Sequence, residues 1–236
     1  MRMDKKVAVV TGGSAGIGEA ACRALAADGW HVIVAARRVE RCRGIADEIG
    51  GAALELDVTD EASVDKLAKL PRVDLLVNNA GGAKELDLLR DANANDWQWM
   101  FDTNVMGTMR VTQALYPQLK AAKGLVINIG SVAATDAYKG GSGYNAAKFG
   151  LRGLTRAFRR EEAPDIRICE IDPGRVKTDF SLNRFHGDAE RAAQVYEGKL
   201  NLTAEDIAEA IRWVASLPAH VNIDTMSVMP ADQAER

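Results

Sequence analysis

Tyr144 and Lys148 stand four residues apart in Tyr144-Asn145-Ala146-Ala147-Lys148. On a helix, that spacing puts both side chains on one face. A free phenol, with a pKa of about 10, is a poor base at neutral pH. A neighbouring ammonium favours the phenolate. Such a pair can pass a proton to or from a substrate oxygen. Ser131 lies thirteen residues upstream, just past the apolar run Leu125–Ile129, and brings a hydroxyl that can donate to the same oxygen. Delivering a hydride to a carbonyl leaves a developing alkoxide, which needs a proton and hydrogen-bond donors. The three side chains therefore suit interconversion of an alcohol and a carbonyl, with Ser131 and Tyr144 touching the substrate. Tyr and Lys at this spacing also describe a half-buried ring beside a surface charge, so the reading depends on what positions them.

Short apolar runs alternate with helical patterns along the chain. The runs are Val7–Val10, Val32–Ala36, Ala52–Leu56, Val73–Val77, Leu125–Ile129, Ile166–Ile171 and Met226–Met229. Runs rich in Val, Ile and Leu with few interior charges read as parallel strands covered by helices on both faces. Helical patterns fill the gaps at Glu19–Ala27, Glu40–Ile49, Glu61–Leu70, Asp96–Leu119 and Ser142–Glu162. Asp28-Gly29 and Gly50-Gly51 supply stop signals, and Thr203 with Asp206 reads as a capping start for a last helix to about Ser216. The alternation predicts right-handed crossovers in one Rossmann-type, doubly wound α/β domain spanning 1–236, with a seven-stranded parallel sheet. The polar stretch at about 175–202, carrying Phe180, Phe185 and Tyr196, reads as a substrate lid or a mobile surface insertion. In open sheets of this kind ligands bind beyond the carboxyl ends of the strands, where Ser131 and the Tyr–Lys helix fall.

Thr11-Gly12-Gly13-Ser14-Ala15-Gly16-Ile17-Gly18 follows the first strand and opens the first helix. Glycines suit a tight turn, a close approach of backbone to a pyrophosphate and close helix–sheet packing. The helix N-terminus adds unpaired amides and partial positive charge. Placed here, the turn predicts a nicotinamide dinucleotide, whose oxidised ring would add positive charge beside Tyr144. Lys148 would also be free to hold the nicotinamide ribose. The second strand ends Ala35-Ala36-Arg37-Arg38, where an NAD site places a carboxylate for the ribose hydroxyl. A carboxylate would repel a 2′-phosphate, whereas Arg pairs with it. The expected cofactor is NADP(H), with Ser14 adding a hydroxyl to the same phosphate.

Composition narrows the partners. A net charge of −3 gives no electrostatic reason to expect nucleic acid or an anionic membrane. No apolar run approaches the ~18 residues of a membrane span. Cys22, Cys42 and Cys169 lack metal-ligand spacing and read as apolar packing residues in a reducing cytoplasm, with no metal expected.

These motifs together resemble the short-chain dehydrogenase/reductase family over the whole chain. The resemblance rests on Thr11–Gly18, Asp57-Val58, Asn78-Asn79-Ala80-Gly81, Asn104, Ser131, Tyr144, Lys148 and Pro173-Gly174 with Thr178. It implies adenine contacts from Asp57 and Val58 and a cleft-lining Asn79. It implies that Asn104 kinks its helix and holds a water in a proton relay behind Lys148; a structural helix polar group is the alternative. It implies nicotinamide contacts from Pro173, Gly174, Val176 and Thr178. The C-terminal third, from Thr178-Asp179-Phe180-Ser181 to Val228-Met229-Pro230, is similar to the NADP-dependent 3-hydroxy acid dehydrogenase branch, which includes serine 3-dehydrogenases. Ala15 stands where other members carry a turn lysine, so cofactor choice rests on Arg37 and Arg38. The loop Arg175-Val176-Lys177 is shorter and more basic than that branch suggests. Arg175, Lys177 or Arg184 could pair with a substrate carboxylate or stand as solvated cations, with Arg184 favoured because Phe185 beside it can anchor the lid. Expected substrates are small hydroxy acids or related aldehydes and ketones; alternatives are a 3-oxoacyl thioester, a sugar, an aromatic ketone, or a non-catalytic NADP-sensing role. The resemblance also implies a homotetramer built on the long helices Asp96–Leu119 and Ser142–Glu162, or a dimer.

Overall fold

In a computed structural model, which describes residues 5–233, the chain folds around a seven-stranded parallel sheet. The strands are β1 (Val7–Thr11), β2 (His31–Ala36), β3 (Ala52–Glu55), β4 (Leu75–Asn78), β5 (Leu125–Ile129), β6 (Arg167–Pro173) and β7 (Thr225–Val228). Their spatial order is β3-β2-β1-β4-β5-β6-β7. The chain thus builds outward from β1 in one direction, then returns to lay β4 on the other side. That reversal opens a crevice beyond the carboxyl ends of β1 and β4.

Successive strand side chains face opposite ways, and each face has its own helices. On one face Val10, Val34 and Ile127 pack with Leu25 of α1 (Gly16–Ala27), Ile45 of α2 (Val39–Ile49) and Ile211 of a C-terminal helix at 204–216. On the other, Val9, Ile33, Leu76 and Val126 pack with Val64 of α3 (Glu61–Val64) and with Leu115 and Leu119 of α5 (Gly107–Ala122), after α4 (Ala94–Phe101). Each fully buried leucine of these layers contributes about 1.5–3 kcal/mol of transfer free energy.

Two sequence expectations change. The long helix at Asp96–Leu119 is interrupted: α4 gives way to a π-helical segment at Asp102–Met106 before α5. Asn104 drives the change, because its Nδ2 donates to Met100 O at 2.7 Å and to Gly82 O at 2.8 Å, spreading the helix turn. The segment Glu61–Leu70 is helical only to Val64 and tightens to a 3₁₀ turn at Asp65–Lys69. The long helix α6 (Ser142–Glu162) forms as expected. The segment after β6 is not irregular throughout. It holds α7 (Phe180–Arg184) and α8 (Ala189–Gln194), and a parallel bridge between Val176 and Leu202 closes it. Beyond it, α9 (Ala204–Ser216) starts with the expected capping box: Asp206 N donates to Thr203 Oγ1 at 3.3 Å and Thr203 N to Asp206 Oδ2 at 2.8 Å.

Candidate active site

The turn after β1 is shaped by what glycine leaves out. A Cβ on Gly12 would lie 2.8 Å from Asn79 Nδ2, and one on Gly18 would strike Gly12 O. Gly12 and Gly16 also hold positive φ, at 65° and 55°, which L side chains avoid. Asn79 braces the turn by donating Nδ2 to Thr11 O at 3.0 Å. Gly18 therefore serves packing of α1, while Gly12, Ser14, Ala15, Gly16 and Ile17 line a cleft of about 700 Å³. Arg37, Arg38, Asp57, Val58 and Asn79 line the same cleft. Ser14 Oγ accepts from Arg38 Nε at 3.2 Å and Nη2 at 3.1 Å, so a hydroxyl and two guanidiniums gather beyond β2. The glycine cradle at a helix N-terminus, ending in cations, fits a dinucleotide carrying an extra phosphate.

Beside the cleft, behind Phe180 and Gly81 of its lining, sits the proton-handling group. Tyr144 and Lys148 are buried on α6. Asn145, between them, donates Nδ2 to Ala133 O at 2.8 Å and so ties α6 to the Ser131 loop. The Ser131 hydroxyl acts to lower the pKa of the Tyr144 phenol. Lys148 Nζ donates to Ile129 O at 2.9 Å. Asn104 also accepts from Gly82 N at 3.2 Å, and a Cβ on neighbouring Gly81 would lie 2.5 Å from Asn104 Oδ1. The π segment thus locks the loop after β4 beside Lys148.

The electrostatics differ from the sequence expectation. Burial pushes the Tyr144 phenol up; the foremost opposing influence is the Arg184 guanidinium, followed by Ser131. Burial pushes Lys148 down to about 8, against support from Glu170 and Asp172. Arg184 is therefore no solvated cation. It is buried, its guanidinium lies 5.2 Å from the Tyr144 ring centroid and 5.1 Å from that of Phe180, and Nη2 donates to Tyr138 Oη at 2.9 Å. Its Nε has no partner among the described residues.

Pro173, Gly174 and Val176 lie outside the cleft lining. Gly174 faces Gln233 and Pro230, and Val176 packs into the core beside the α1–α9 layer. Pro173 ends β6 in register with Val228. Of that loop, Thr178 reaches the cleft, together with Asp179, Phe180 and Asn183, which the sequence reading missed as site residues. Lys84 and Trp99 were also missed; the Lys84 ammonium lies 4.7 Å from the Trp99 ring centroid, at the cleft wall. Only the place of Lys84 in the loop after Asn78–Gly81 hinted at this; Trp99 comes from α4. Arg175 is committed to Asp232, Asn201 and Leu200 O, and Lys177 is exposed.

The comparisons agree with this geometry. The chain is 52% identical over 233 residues to an uncharacterized oxidoreductase of Mycobacterium tuberculosis, covering 98% of this chain and 93% of that one. It is 41% identical to the NADP-dependent 3-hydroxy acid dehydrogenase YdfG of Salmonella typhi, covering 97% and 96%. Among solved structures, the closed form of a serine dehydrogenase complexed with NADP+ superposes with a TM-score of 0.94 at 39% identity, covering 97% and 96%. Residues 6–189 match the family model described as short chain dehydrogenase. With a glycine turn at the β1–β4 crevice and Ser131, Tyr144 and Lys148 beside it, the chain belongs to the short chain dehydrogenase family.

Proposed function

We propose that this chain is an NADP-dependent oxidoreductase that moves a hydride between the nicotinamide and the CH–OH/C=O group of a small 3-hydroxy acid. The observation that carries the substrate class is buried Arg184, with a free Nε beside the Tyr144 ring. A buried guanidinium without a carboxylate is costly, and a substrate carboxylate would relieve it through charge-assisted bonds. The names of the relatives, a 3-hydroxy acid dehydrogenase and a serine dehydrogenase, point the same way.

When bound, the cofactor supplies or takes the hydride. The chain's residues do the rest. Arg37, Arg38 and Ser14 hold the 2′-phosphate, and Asp57 and Val58 border the adenine. Ser131 donates to the substrate oxygen. Tyr144 gives that oxygen a proton in reduction and takes it back in oxidation. Lys148, charged beside it, favours the phenolate, and Arg184 adds positive charge over the same ring. Asn104 keeps the loop at Gly81–Gly82 against Lys148, and Thr178 closes the cleft above the turn. A reducing cytoplasm suits the three buried free cysteines. Phe101 and Phe149, exposed on α4 and α6, support a homotetramer or dimer built on those helices.

The test is a panel of serine, 3-hydroxypropanoate, their methyl esters, simple alcohols and aromatic alcohols, with NADP+ and NAD+, read as reduced cofactor formed. Turnover with NADP+ that prefers free acids over esters is expected, and Tyr144→Phe should abolish it while cofactor affinity stays. Tight NADP(H) binding with no turnover of any alcohol or carbonyl would instead favour a sensing protein.

A further inference from the structure

Arg152 follows Lys148 by four residues, so Tyr144, Lys148 and Arg152 form one stripe along α6. Opposite the stripe, Glu170 and Asp172 project from the same face of β6. Both carboxyls are buried, at 1% and 0% exposure. Arg152 Nε donates to Glu170 Oε1 at 2.9 Å, and its Nη2 pairs with Asp172 Oδ2. A buried ion cluster of this kind adds little net stability, since desolvation offsets the attraction. Its placement points to another task.

The cluster abuts the backbone of the reacting serine. Asp172 Oδ1 accepts from Ser131 N at 3.0 Å. Gly130, just before it, donates its amide to Ile171 O at 2.7 Å. A Cβ on Gly130 would collide with Asp172 Oδ1 and lie 3.0 Å from Glu170 Oε1. The carboxyl thus fills the space that Gly130 leaves open and grips the next amide. Ser131 Oγ in turn accepts from Ala133 N at 3.1 Å, so the amide grip and the hydroxyl direction belong to one short turn.

We propose that Asp172, seated by Arg152 and Glu170, is a positioning residue for the reaction, fixing the Ser131 amide and with it the direction of the serine hydroxyl. Burial and the adjacent Glu170 carboxyl raise Asp172 well above the usual carboxylate range, against Arg152 and the Ser131 amide. The guanidinium between the two carboxyls offsets much of the cost of seating them there. The role rests on Ser131 as the donor to the substrate oxygen.

The test is a double-mutant cycle of Asp172→Ala and Ser131→Ala, with serine and NADP+ as the probe and NADPH affinity by fluorescence as a second readout. Removing one oxyanion donor costs about 100-fold or more, and misaiming it costs less, so Asp172→Ala should lower kcat about tenfold. In the Ser131→Ala background the same change should matter by less than about twofold, because the donor it aims is gone. NADPH affinity should stay within about threefold throughout, which shows an intact fold. An equal loss in both backgrounds, or no loss in either, overturns the proposal. Full turnover in Ser131→Ala overturns the assignment of Ser131 itself and the proposal with it. If Asp172→Ala does not fold, Asp172→Asn takes its place. Its amide turns a donor toward Arg152, so a loss of about threefold is expected that vanishes without the Ser131 hydroxyl, and an unchanged kcat would overturn the role.

Discussion

Three side chains of the reacting centre were legible as residues because their geometry is local: Tyr144 and Lys148 share a helix face, and Ser131 follows a strand end. Arg184 was legible as a candidate, but its surroundings were not. Its partners Tyr138, Tyr144 and Phe180 come from three segments that meet only in the folded chain. The same limit misled the reading of Arg175, whose acidic partner Asp232 lies 57 residues away. Lys148 carries a pH consequence. Burial lowers it to about 8, so it loses its proton as pH rises through that value. Carbonyl reduction draws on the ammonium beside Tyr144, so kcat/KM for reduction should be level below pH of about 8 and fall above it. A reduction profile level to pH of about 10 would contradict the role given to Lys148. Arg184 carries a second consequence. Arg184→Ala should raise KM for a 3-hydroxy acid about 10–100-fold, the worth of one charge-assisted contact, while leaving the matching methyl ester nearly unchanged. Equal effects on acid and ester would place the carboxylate elsewhere.

At the level of elements, the strands were the most legible part, because buried parallel strands read as unbroken apolar runs, whereas their order in the sheet came only with the fold. The interruption of the long helix was legible only through the resemblance, which implied a kink at Asn104. Nothing in the apolar periodicity from Asp96 to Leu119 marks a π turn; it arises from Asn104 reaching the carbonyls of Met100 and Gly82. The loop after β6 was read by analogy, and the packing of Gly174 beside Pro230 and Gln233 could not be read from the local sequence. The turn after β2 yields a cleaner expectation. Arg37 and Arg38 line the cleft, and Arg38 also binds Ser14, so replacing both arginines by Ala should weaken NADP(H) binding by about 100-fold. NAD(H) binding should change by less than about threefold, and calorimetry with both cofactors decides it. Equal losses would mean that the two arginines serve the turn rather than the phosphate.

For the whole molecule, one domain and one crevice follow from the alternation of strand and helix, whereas assembly depends on surfaces that sequence periodicity does not rank. Phe101 and Phe149 stand 42% and 47% exposed, and Gly150 packs under Phe101, so the two rings belong to one apolar area. Phe101→Glu together with Phe149→Glu should shift the mass in light scattering toward the monomer; an unchanged mass would place the assembly contact elsewhere. The lid shows a different logic. Leu202 N donates to Arg175 O at 3.0 Å, Lys177 N donates to Leu202 O at 2.8 Å, and Asp232 grips both Arg175 and Leu200. Both feet of the loop are thereby pinned to each other and to the C-terminal segment. The entropy of bringing its ends together is settled when the chain folds, and it grows only slowly with loop length. Insertions or deletions in the outer part of the loop, away from the cleft-lining Thr178–Asn183 and from Arg184, can therefore be accepted at small cost to the sheet. The pinned loop makes its outer part the stretch of this molecule most open to evolutionary change, while Phe180 and Arg184 tie its inner part to Tyr144.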